Sequence, residues 1–102
     1  MNNIPESFKI ANQTIKVNLL DKVTNNGYGN FFDVTNEINL AKNIDADDGN
    51  TYQLTQEQIK NTFWHEVFHA FQFYFNNKYD EAQAQVFANF MCEFIESTDK
   101  PF

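Results

Sequence analysis

This chain of 102 residues has two histidines, and they stand four apart in the run His65-Glu66-Val67-Phe68-His69. On a helix, residues at that spacing lie on one face, one turn from each other. Their imidazoles can then share a metal ion, with the Glu66 carboxylate alongside. Zinc suits such a site, because it takes neutral imidazole nitrogen and carboxylate oxygen in a tetrahedral array. A catalytic zinc has three protein ligands and one open position, where it lowers the pKa of a water to about 7. Glu66 is turned from His65 by one residue, about 100° on the helical wheel. From there it can take a proton from that water and pass it to a leaving amine.

His65 and His69 supply two ligands, so a third is needed. No other histidine exists, and Cys92 stands in an apolar stretch, so a carboxylate is expected unless an amide or an outside ligand substitutes. Glu81 is the first choice and Asp80 the second; both open a predicted second helix. Glu81 also sits at the edge of that helix's apolar face. The plainer reading is that both acids only complement the helix dipole. The metzincin pattern is excluded, since it wants glycine at 72 and histidine at 75, where this chain has Gln72 and Phe75. Asp45, Asp47 and Asp48 do not make an EF-hand. Counted from Asn43, the required glycine and final carboxylate would fall on Asp48 and Leu54. Residues 43–50 read as a polar, solvated loop.

The elements that must position these groups follow from periodicity. Residues 8–10 and 15–19 alternate apolar and polar side chains, as half-buried strands do. Asn25-Asn26-Gly27 signals a turn, and residues 28–34 and 37–41 read as two more strands joined at Thr35-Asn36. A small antiparallel sheet is expected. Thr55-x-x-Gln58 is a capping box that starts a long helix. Ile59, Phe63, Val67, Ala70, Phe71 and Tyr74 form its apolar stripe. His65 and His69 fall outside that stripe, which predicts an open cleft. Asn76-Asn77 ends the helix, and a second runs over about residues 80–97. Ala84, Phe87, Met91, Phe94 and Ile95 are its expected buried face, with Glu93 and Glu96 solvated. Residues 98–102 are expected to fray. The fold class is α+β: one domain over residues 1–102, with a small antiparallel sheet followed by two long helices.

Composition narrows the partners. Net charge is −7 and all seven cations are lysine, which disfavours a nucleic-acid surface. One cysteine permits no internal disulfide. No stretch approaches the ~20 apolar residues of a membrane span, and residues 1–10 have no signal-peptide core. A cytoplasmic protein with no membrane or nucleic-acid partner is expected. Fifteen asparagines, with abundant Lys, Ile and Phe, suggest an AT-rich coding sequence, as in a bacterium, phage or mobile element.

The run His65-Glu66-x-x-His69, followed by Glu81-x-x-Ala84-Gln85-x-Phe87-Ala88, resembles the zincin-like peptidases of the gluzincin type. It is most similar to the ImmA/IrrE-type metallopeptidases and small phage-borne relatives, whose second helix bears E-x-x-A-[N/D]-x-x-A. The resemblance spans roughly residues 27–95. It implies a minimal zincin-like fold, Zn2+ held by His65, His69 and Glu81, and Glu66 as general base. It also implies an edge strand within residues 28–41 that lines the substrate. Phe68 stands where many relatives have glycine, and Gln85 where they have Asn or Asp. The gap from His69 to Glu81 is short, so the first helix must end early or bend. Tyr28, Tyr74 and Tyr79 are the candidates for stabilising an oxyanion.

The expected function is a zinc-dependent metallopeptidase acting on a protein or peptide. The alternative is a catalytically inactive zinc-binding regulatory or interaction protein of a phage or mobile element. Glu66 favours the enzyme, because a purely structural zinc site has no need of a carboxylate there.

Overall fold

The structure, a computed structural model, describes residues 4–98; the tail expected to fray lies almost wholly outside them. Two strands, β1 (Ser7–Ile10) and β2 (Gln13–Leu20), form a hairpin. Its two-residue turn places Ala11 and Asn12 at φ 51° and 64°, the left-handed geometry that matches the twist of paired strands. The chain then crosses residues 21–28, with a 3-10 turn at Thr24–Asn26, to reach β3 (Gly29–Phe32). Asn36, at φ 55°, turns it back into β4 (Glu37–Ala41).

The strand order is β1-β2-β4-β3, so β4 is inserted between β2 and β3. It runs antiparallel to β3 but parallel to β2. The sheet is therefore mixed, not antiparallel throughout as the alternation suggested. The reason is burial. Ile38 and Leu40 of β4 are fully inaccessible, so this strand takes a central position. The long crossover before β3 lets β4 enter beside β2 in the same direction.

One face of the sheet carries Ile15, Ile38 and Leu40 into a core shared with Val23, Ala41, Leu54, Ile59 and Phe63. The other face carries an amide ladder. Asn18 Nδ2 donates to Asn39 Oδ1 and Asn39 Nδ2 to Asn30 Oδ1, each at 2.9 Å. Period-two alternation thus separates core from solvent across β2, β4 and β3.

Residues 43–50 were expected to be a loop, but they belong to a second hairpin of β5 (Asn43–Asp45) and β6 (Thr51–Gln53). Polar contacts build it. Asp45 accepts from Lys22 Nζ at 2.9 Å and from Thr51 Oγ1 at 2.6 Å, and the Asn26 amide bonds both ways to the Asp45 backbone. A hydrophobicity pattern cannot reveal strands held this way.

Helix α1 (Gln56–Phe75) begins at Thr55 with the full capping box. Gln58 N donates to Thr55 Oγ1 at 3.1 Å, and Thr55 N donates to Gln58 Oε1 at 2.8 Å. It stops at Asn76, and Asn77 takes φ 56°. Helix α2 (Glu81–Ser97) starts after the turn of residues 76–80 and is capped by Asp80, whose carboxylate accepts from Gln83 N at 2.9 Å. The two helices lie against each other, with Phe87 of α2 4.9 Å from Phe68 and 6.3 Å from Trp64 between ring centroids. No helix among the described residues is long and apolar enough to cross a membrane.

Two helical faces differ from expectation. Ala84 and Ala88 are the buried residues of α2, while Phe94 is exposed. On α1, Phe71 is also exposed, whereas His69 and Glu66 are buried. A helical wheel shows the sides of a helix but not how many are covered. Here the sheet covers one side of α1, and α2 with β3 covers a second.

Candidate metal centre

The early end of α1 and the short turn bring the first residue of α2 back over the histidine pair. His65 Nε2 lies 2.8 Å from Glu81 Oε1, and His69 Nε2 lies 3.0 Å from Glu81 Oε2. The two Nε2 atoms are 3.1 Å apart. Ligand atoms around a tetrahedral zinc at ~2.0–2.1 Å bonds stand about 3.3 Å from one another. The two nitrogens are close to that separation, and the Glu81 carboxylate meets each imidazole through a different oxygen. His65, His69 and Glu81 are the one group of this kind among the described residues. Asp80, the second candidate for third ligand, is turned away into its capping role.

The hydrogen-bond network sets the tautomers. Gln85 Nε2 donates to Asn61 Oδ1 at 2.8 Å and to Asn89 Oδ1 at 3.0 Å. That leaves Gln85 Oε1 facing His65 Nδ1 at 3.0 Å. On the other ring, Gln72 Oε1 accepts from the Asp80 backbone N–H at 3.3 Å and lies 3.2 Å from His69 Nδ1. An amide oxygen only accepts, so each Nδ1 carries its proton and each Nε2 is turned toward Glu81. Two imidazole nitrogens and a carboxylate converge on one point. Such a cluster needs positive charge at its centre, from protons on the imidazoles or from a metal ion. Histidine ligands are commonly held by an acceptor on the second ring nitrogen. Gln72 and Gln85 occupy those positions. Gln72 enters the sequence reading only as a departure from the metzincin pattern, with no role at the site; its spacing of three from His69 is the signal that could have given it one.

Glu66 is 6% exposed and lines the groove beside this cluster. Among the described residues no group hydrogen-bonds its carboxylate. Burial pushes its pKa above the ordinary value, His69 and His65 draw it back, and the Glu81 carboxylate adds to the rise. A carboxyl raised in this way beside a donor cluster is suited to exchanging a proton with a neighbouring group. Glu81 stands at the opposite extreme, with its side chain 77% exposed, so the cluster opens to the groove on that side.

The groove consists of two adjoining cavities of about 500 and 240 Å³. Both are lined by Gly29, Glu66 and Glu81; Tyr28 and His65 border the larger, Tyr79 and His69 the smaller. One wall is β3, the last strand in the sheet order. Tyr28 O accepts from Ala41 N at 2.9 Å, which turns the backbone of residue 28 toward β4. By the alternation of antiparallel pairs, Gly29 and Phe31 turn their N–H and C=O groups to the free edge. Gly29 is required where it stands. A Cβ there would lie 2.6 Å from Thr62 Cγ2 and 2.8 Å from the Asn39 carbonyl oxygen. The missing side chain lets β3 approach α1 and narrow the groove.

Of the three tyrosines, Tyr74 is spent on a hydrogen bond to Asn36. Tyr28 and Tyr79 flank Glu66 in the two cavities. The Tyr79 ring meets His69 edge-on at 5.3 Å, and its hydroxyl donates to Asp33 Oδ2 at 3.0 Å. Burial, followed by the Asp33 carboxylate, pushes that phenol up to about 12. Cys92 is half-buried beside Asn61 and does not join the cluster.

Compared with known protein families, characterised proteins and solved structures, the chain gives no significant match.

Proposed function

We propose that this protein is a zinc-dependent peptide hydrolase, with His65, His69 and Glu81 as metal ligands and Glu66 as general base. The observation that carries the reading is Glu66: a buried carboxylate without a structural hydrogen bond, beside three converging donors. Zinc bound there would supply Lewis-acid polarisation of a carbonyl and activation of water. The chain's own residues do the rest. Gln85 and Gln72 fix the imidazoles with their lone pairs toward the centre. Glu66 takes a proton from the attacking water and delivers it to the leaving nitrogen. An extended substrate pairs with the free edge of β3 through Gly29 and Phe31, the mode in which a peptide adds a strand to an open sheet. Of the tyrosines lining the groove, Tyr79 already donates its hydroxyl to Asp33, which leaves Tyr28 as the one to face an oxyanion.

The test has two parts. Protein purified without chelator should carry one zinc per chain, lost in His65→Ala and kept in Glu66→Gln. Glu66→Gln should also slow cleavage of unstructured polypeptides by about 10²–10⁴-fold. Zinc retained in His65→Ala would reject the ligand set. Zinc bound by wild type and Glu66→Gln, with both inert across a broad panel of substrates, would favour a non-enzymatic zinc-binding module.

A further inference from the structure

The outer side of the helix pair carries apolar surface that the core does not use. Phe75 is 73% exposed, Val86 69%, Phe90 57% and Phe71 47%. These residues form one surface with two shapes. Phe71 and Phe75 stack in near-parallel planes, with centroids 5.6 Å apart and 8° between them, as a ridge on α1. Beside it lies a groove of about 520 Å³ lined by Phe68, Ala82, Gln83, Val86, Phe87 and Phe90. Ridge and groove are joined through Phe68, whose ring is 5.9 Å from Phe71 and 4.9 Å from Phe87.

We infer that this face is the interface of a two-fold homodimer, the Phe71–Phe75 ridge of each copy seated in the α2 groove of the other. Three observations select a second copy as the occupant. The first is self-complementarity. An isologous contact needs ridge and receptor on the same patch, so that each serves the other, and this patch has both. The second is charge. None of the residues lining the groove is charged, in a chain of net charge −7. The groove itself can therefore be covered without burying a carboxylate. The third is area. At about 200 Å² for a whole phenylalanine side chain, the exposed parts of Phe71, Phe75, Phe90 and Val86 offer roughly 450 Å² per copy. A standard interface buries about 800 Å² per partner. The exposed aromatic surface is thus about half of a standard interface, with Phe68, Ala82, Gln83 and Phe87 of the groove beside it, so the association is expected to be weak and concentration-dependent. Two helix pairs joined in this way make a four-helix arrangement with aromatic side chains at its centre.

The interface is separate from the groove beside β3. On α1, the aromatic strip lies about 60–120° around the helix from His65. On α2, Val86 and Phe90 lie about 140–180° from Glu81. The candidate metal centre stays open in the dimer, and the inference does not rest on the proposed hydrolase.

Sedimentation equilibrium of the full chain over a dilution series tests it. Wild type should behave as twice the 12.0 kDa chain mass at high concentration and dissociate on dilution. Phe90→Lys should weaken self-association roughly 30-fold or more, as expected for an interface anchor, with an unchanged circular dichroism spectrum. Val86→Lys is the second variant, for use if Phe90→Lys fails to fold; its side chain is mostly in solvent and touches little of the core. A wild type that stays monomeric overturns the inference, including one that instead binds lipid vesicles through this face. A dimer that survives a folded lysine variant overturns it as well, because the contact then lies elsewhere.

Discussion

Replacing Gln85 with leucine should weaken zinc binding without touching a ligand. Gln85 Oε1 accepts from His65 Nδ1 at 3.0 Å and is held in that orientation by donation to Asn61 and Asn89. Leucine keeps most of the bulk and removes the acceptor. The Nδ1 proton loses its partner, and the ring loses both its fixed orientation and part of its basicity. Loss of such a partner lowers metal affinity about 10–100-fold, or about 1.4–2.7 kcal/mol. At a fixed zinc concentration well above either Kd, the stabilisation conferred by zinc falls by the same amount. In a domain of this size each kcal/mol moves Tm by roughly 4–8 °C. The zinc-induced rise in Tm should therefore be smaller in Gln85→Leu by roughly 6–20 °C. Melts of both proteins, with and without buffered zinc, measure this. The loss of the Asn61 and Asn89 hydrogen bonds is common to both conditions and cancels. An equal zinc-induced rise in wild type and variant would refute the tautomer assigned to His65, and with it the positioning role of Gln85.

Gly29→Ala should destabilise the fold by about 1–3 kcal/mol through overpacking, read as a lower urea midpoint. Adding Thr62→Ser should recover only part of this. It removes Thr62 Cγ2 but leaves the backbone oxygen of Asn39 2.8 Å from the new methyl; full recovery would mean that β3 can move freely. Tyr79 carries a pH dependence. Its phenol is pushed up to about 12 in the folded chain, against about 10 when unfolded. The folded state then keeps a proton that the unfolded state gives up. This contribution to stability is intact below pH ~10 and is lost as the pH rises toward ~12. In Tyr79→Phe, stability should decline less over that range, and an unchanged slope would remove the assigned environment.

Helices and site residues were the most legible parts of this chain, because their signals are local. Thr55 and Gln58 make the capping box within one turn, and Asn76-Asn77 stops α1 where its wheel is broken. The spacing of His65 and His69 puts both rings on one side of α1 whatever packs there. Glu81 was preferred over Asp80 from its place at the edge of an apolar face. Asp80 is taken by the backbone of α2, as residues before a helix often are.

Contacts between distant segments were not legible. The direction of β4 relative to β2 depends on which strand is buried deepest, and period-two alternation is the same in parallel and antiparallel pairs. The β5–β6 hairpin is held by Asp45, Asn26 and Lys22, which lie about twenty residues apart in the chain. The burial of Glu66 and His69 arises because α2 and β3 close over a polar side of α1. By itself the sequence determined the α+β class, the two helices and the placing of His65, Glu66 and His69 on neighbouring turns of one helix, since these depend on spacing within one or two turns. Only the tertiary structure decided that Gln72 and Gln85 orient the imidazoles, that Gly29 brings β3 against them, and that the aromatic strip stays uncovered. Each of those depends on which surfaces meet, and a linear pattern carries no record of that.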